Sequence, residues 1–193
     1  MSRHPVRALT RSLRAFGRAQ QGATAVEFSL VAIPFFGLLA AIIETAIAFF
    51  AGQLLDAAVS NASRQIYTGA FQTQTGVSAT TSEQALTAFR NNLCANRVTI
   101  FNCSAVKVDI RTLDDNASFA AISPVDPSTK GWATGFGTRY LDAGGKPPGP
   151  GKIVIVQAAV AFPIFFSMIN PATFGSNQRL LQSTVAFRTE PYK

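Results

Sequence analysis

The chain has one histidine in 193 residues, and it stands at position 4. Nothing beyond it can supply an HExxH zinc motif, and no GxSxG nucleophile elbow occurs. No carboxylate pair stands out at a defined spacing, so the chain is not expected to be an enzyme or to carry a cofactor. Cysteine is almost as scarce: Cys94 and Cys103 are the whole supply, too few for a metal centre without histidine. Charge amounts to 14% of residues and is missing in two informative places. The first 22 positions contain no acid, and between Phe28 and Leu55 the one charged residue is Glu44. No Arg-Arg pair occurs, which removes a twin-arginine export signal.

Arginine is what the leader does have, at Arg3, Arg7, Arg11, Arg14 and Arg18. Those five of the 17 basic residues explain most of the net charge of +7; beyond Gly22, 12 bases face 10 acids, leaving +2. A nucleic-acid surface keeps its charge in the folded domain, so no nucleic-acid partner is expected. The placement instead sets topology. Basic residues flanking a span stay cytoplasmic, which predicts an inside N-terminus and translocation of everything after about residue 56. Residues 23–55 read as a membrane helix of ~30 Å or more, long enough to cross the hydrocarbon core.

Glu27 sits just inside that helix, although an ionised group costs roughly 2.5–3.5 kcal/mol near a bilayer centre and less at its edge. The 16 residues between Glu27 and Glu44 span ~24 Å. Glu44 is therefore either an interfacial anchor near the far edge or a pairing group within the span. Pro34 removes a backbone donor inside the helix and is expected to kink it. Gly37, Ala41, Thr45, Ala48 and Gly52 recur at spacings of three and four, forming a thin ridge suited to close helix packing in lipid.

A basic leader, Gly22, the small Ala23 and a glutamate five residues past the glycine together resemble a type IV prepilin processing site. With Pro34, Glu44 and the terminal Arg188-Thr189-Glu190-Pro191, the chain more narrowly resembles the TadE-type pseudopilins of tight-adherence (Flp) pilus systems. The resemblance implies a prepilin peptidase that cuts between Gly22 and Ala23 at the cytoplasmic face of a bacterial inner membrane. It further implies a periplasmic C-terminal domain, and other pilins and an assembly platform as partners alongside membrane lipid. The amine freed at Ala23, with a reference pKa of about 7.7–8.0, is mostly protonated at neutral pH. In the family it belongs to the neighbouring subunit, where a low dielectric strengthens its attraction to the Glu27 carboxylate.

Past the membrane, Leu55, Ala58, Val59, Ala62 and Ile66 recur at helical spacing, carrying the helix to about Thr68. Residues 69–81 read as a polar linker. Thr81 and Gln84 form a capping box before the apolar Leu86, Phe89 and Leu93. Val106, Val108 and Ile110 alternate with Lys107, Asp109 and Arg111, as in a half-exposed strand. Ile153–Phe162 is apolar on both faces, as a covered central strand is. Leu181, Val185 and Phe187 alternate with polar residues in a final strand.

The expected fold is α+β: a leader (1–22), a transmembrane and amphipathic helix (23–68), a linker (69–81), and a periplasmic domain (82–193) of antiparallel strands packed on helices. In an oxidising periplasm Cys94 and Cys103 pair, closing a loop worth ~2.5 kcal/mol; otherwise they are two buried thiols. Gly144–Lys152 is a loop and not a phosphate cradle, because Ile153 stands where Ser or Thr is required and prolines remove amide donors. Trp132, Phe136 and Tyr140 are expected as core plugs, with an exposed contact to another pilus component as the alternative. The cluster Phe162, Ile164, Phe165, Phe166, Met168 and Ile169 is also expected as core, with membrane-surface contact as its alternative. Three rival readings remain: an uncleaved single-span anchor presenting a periplasmic ligand-binding module, a protein cut by ordinary signal peptidase after Ala48, and a type II secretion pseudopilin. The second suffers because the apolar run exceeds the usual ~7–15 residues of a secretory signal.

Overall fold

The computed structural model of the chain describes residues 20–73, 81–95, 99–113, 122–142, 145–167 and 171–192. The arginines of the leader, residues 74–80 of the expected linker, and Met168 and Ile169 lie outside the described residues. Helix α1 covers Gln20–Tyr67 and runs through Pro34, about 70 Å of continuous helix at 1.5 Å per residue. The chain divides into two compact units, Met1–Ile43 and Glu44–Lys193, so their boundary falls inside α1.

In the first unit α1 is apolar all round, with Phe28, Leu30, Ile33, Phe35, Phe36 and Leu38 exposed. Leaving such side chains in water forfeits roughly 1.5–3 kcal/mol each. A core helix of a soluble domain would hide them, yet only 6% of the most apolar 18-residue window is buried. Among the described residues, one helix is long and apolar enough to cross a membrane, and its exposed face is suited to lipid.

The second unit contains the remainder of α1, a single turn α2 (Ala70–Thr73), helix α3 (Ser82–Cys94), a 3₁₀ turn at Cys103–Ala105, and strands β1 (Lys107–Leu113), β2 (Ile153–Pro163) and β3 (Gln178–Arg188). The strands form one antiparallel sheet in the order β1-β2-β3. Val108 pairs with Ala158, and Val156 with Val185. Period-two alternation then sends Val108, Ile110, Val154, Val156, Ala158 and Val160 to one face. That face shares a core with Leu55, Val59 and Ile66 of α1 and with Phe89 and Leu93 of α3. The Thr81 hydroxyl starts α3 by accepting the Gln84 N–H at 3.3 Å, the side-chain half of the expected capping box.

Three expectations need correction. Residues 69–81 are not wholly a linker: α2 places Phe71 fully inside the core, its ring edge-on to Phe89 and Tyr140. The compact unit that contains it runs from Glu44 to Lys193, and α1 supplies one wall of its core. Strand β1 is not half-exposed, since Asp109 is buried. The Gly- and Pro-rich insertion turns back over it, with the Ile110 N–H donating to the Arg139 carbonyl at 2.8 Å along its free edge. On the same side Trp132 stacks on Phe136 with ring centroids 5.9 Å apart, and the Lys107 ammonium lies 4.7 Å from the centre of the Trp132 ring. Finally, the aromatic cluster after β2 splits. Phe162 and Ile164 are buried as core, whereas Phe165 is 80% and Phe166 41% exposed.

Candidate functional site

The sequence places its chemistry at the start of α1, and there the structure leaves it open. Gly22, Ala23 and Glu27 are all exposed in the first turns of the helix. Among the described residues, a side chain built at Gly22 would meet nothing within 4 Å. Among the described residues Glu27 forms no ion pair.

The small-residue ridge is used unevenly. Ala41 and Ala48 are buried, and Ala48 belongs to the core of the second unit, so it is not available to a neighbouring helix. Among the described residues an added methyl at Gly37 or Gly52 would meet nothing within 4 Å, and Thr45 is exposed. Those three positions retain room for an approaching helix.

Glu44 has a local partner that the sequence does not reveal. It is buried, and its Oε1 accepts hydrogen bonds from the backbone N–H groups of Phe165 and Phe166. Its Oε2 accepts from the Phe166 N–H at 3.2 Å. The loop that leaves β2 thus wraps a carboxylate on α1 with amide donors, the charge-assisted arrangement that makes such bonds short and strong. With the partners 121 positions apart in sequence, no local pattern announces the contact.

The C-terminal Arg188-Thr189-Glu190-Pro191 also acquires a physical role. Thr189 is buried; its hydroxyl donates to the Gly149 carbonyl at 2.7 Å and accepts from the Lys152 N–H at 3.0 Å. The Glu190 N–H donates to the carbonyl of Tyr67, the last residue of α1, at 2.9 Å. Tyr192 donates its hydroxyl to the Pro148 carbonyl at 2.6 Å, and burial raises its pKa. The segment ties the end of α1 to the Gly/Pro loop and to the end of β3, satisfying backbone groups that a helix terminus otherwise leaves open.

A disulfide joins Cys94 at the end of α3 to Cys103 in the 3₁₀ turn, with S–S at 1.97 Å. Behind the sheet, the Asp109 Oδ2 accepts the Gly137 N–H at 3.0 Å and faces the Arg139 guanidinium at 3.8 Å. Burial nevertheless raises the Asp109 pKa above the ordinary aspartate value, with the Gly137 amide and the charges of Arg139 and Arg111 pulling the other way. A groove of about 270 Å³ between α3 and β1 is bordered by Glu83, Arg90 and Lys107. Its size falls below the usual ~300–1,000 Å³ of a small-molecule site, and its charges are of both signs. Among the described residues no group of three His, Cys, Asp or Glu could hold a metal ion.

A long apolar helix followed by an antiparallel sheet packed against its distal half is the architecture of a pilin-like protein. Residues 22–64, from the expected processing glycine through the core-forming turns of α1, match the family described as TadE-like protein. The match covers the helix and not the sheet domain that follows it, so the likeness to that family is one of residues 22–64. No curated protein and no solved structure gives a significant match.

Proposed function

We propose that the protein is a membrane-anchored pseudopilin that takes part in assembling a tight-adherence pilus. A prepilin peptidase removes the leader after Gly22 on the cytoplasmic side, and the chain remains in the inner membrane with its C-terminal domain in the periplasm. The observation that carries this reading is the family match over residues 22–64, joined to an exposed Glu27 that forms no ion pair among the described residues. The new ammonium at Ala23 of one subunit meets Glu27 of another, converting a cost of insertion into an attraction between helices. Gly37, Thr45 and Gly52 provide the close approach that such pairing needs. The role is structural, not catalytic.

Replacing the carboxylate tests the pairing. Glu27→Ala is expected to insert and accumulate at normal levels, since removing a charge favours the lipid phase, while piliation falls sharply. Normal piliation by the variant at normal protein levels would show that Glu27 has no part in assembly.

A further inference from the structure

Glu44, with the loop it holds, carries an inference that goes beyond pilus assembly and rests only on the chain having a single membrane span. From Ala23 to Ile43, α1 supplies 21 residues, or ~31 Å at 1.5 Å per residue. That length alone matches a hydrocarbon core of ~30 Å. Glu44 then falls at the outer edge of the core, where the second compact unit begins. Two exposed aromatic groups of that unit are found at this end. Phe49 and Phe50 project from α1, and Phe165 and Phe166 from the loop whose amides grip the Glu44 carboxylate. Four exposed phenylalanines at one end of a domain facing water would be a liability. At the boundary between headgroups and acyl chains the same side chains are buried.

The chemistry of the loop fits that depth. A carboxylate near hydrocarbon is costly without donors, and non-helical backbone at membrane depth is tolerated only where its polar groups are satisfied. Each group answers the other's need: Glu44 receives N–H donors, and the amides of Phe165 and Phe166 receive an acceptor. Arg179 stands opposite Phe162 in the β2–β3 register, at the same end of the sheet, a position suited to an anionic headgroup. We propose that the Phe165–Phe166 loop, held by Glu44, inserts into the periplasmic leaflet as a second membrane contact, fixing the depth of the domain at the bilayer.

The test uses the full chain in phosphatidylethanolamine/phosphatidylglycerol vesicles and the variant Phe165→Trp at an exposed position. The unsubstituted protein, whose single tryptophan is Trp132, supplies the background. The added emission is expected to be blue-shifted, shielded from iodide, and quenched more by lipids brominated near the headgroup end of the acyl chain than near its methyl end. It should not change as protein is diluted into excess lipid. Water-like emission open to iodide would overturn the proposal, and so would shielding that disappears on dilution, which would assign the loop to a protein neighbour. When Glu44→Ala is combined with Phe165→Trp, bromolipid quenching of the introduced indole should be lost while the Cys94–Cys103 disulfide and far-UV circular dichroism are retained. Unchanged quenching there would overturn the role given to Glu44.

Discussion

Gly69 shows how much a single residue decides at the end of α1. Its φ is +77°, in the left-handed region, and a Cβ there would collide with the ring of Tyr192. The turn and the docking of the C-terminal segment thus need the same missing side chain. Gly69→Ala should destabilise the C-terminal domain by at least ~1 kcal/mol, the usual scale of backbone strain at such a site. A fall in the midpoint of thermal unfolding checks this; an unchanged midpoint would mean that Tyr192 contributes nothing to the fold. Asp109 makes a different case. Its pKa is raised in the folded state, so the native protein holds a proton that the unfolded chain has already released. Stability should therefore fall as pH rises from the ordinary aspartate value of 3.8 through the raised native pKa, then level off. Asp109→Asn keeps an acceptor for the Gly137 N–H and should remove that part of the pH dependence in denaturant titrations at several pH values.

At the level of elements, period and composition expose almost everything that repeats. The 3.6-residue pattern through Leu55, Val59 and Ile66, and the period-two pattern through Val106, Val108 and Ile110, mark α1 and β1 because each element buries one continuous face. What stays hidden are contacts between residues distant in sequence. Nothing around Asp109 announces that Gly137 and Arg139 will cover it, and nothing around Phe165 announces Glu44. Phe71 escapes for another reason: one buried aromatic in a single helical turn has no period to detect. The ridge on α1 is legible as a pattern, but its use is not, because Ala48 serves the domain's own core. This leads to a prediction for the remaining positions. Among the described residues a Cβ at Gly37 meets no neighbour within 4 Å, so Gly37→Leu should retain folding and membrane insertion while pilus assembly is reduced. Unaltered piliation would remove Gly37 from the packing surface.

For the whole molecule, the division at Ile43/Glu44 assigns α1 two tasks. The first part presents apolar side chains outward and carries Glu27; the second is a wall of the domain core. The likeness to the TadE-like family is carried by the helix, whereas the proposed place in a pilus depends on the proposed cleavage after Gly22. In an uncleaved chain the Ala23 nitrogen is a peptide amide, so no amine exists at the position Glu27 would meet. Mass measurement of the intact protein isolated from its native membrane, with and without the prepilin peptidase, tests this directly. The account predicts a chain that begins at Ala23 when the peptidase is present and at Met1 when it is absent. Mature protein that begins at Met1 with the peptidase active, or at Phe49 after an ordinary signal cleavage, would contradict it.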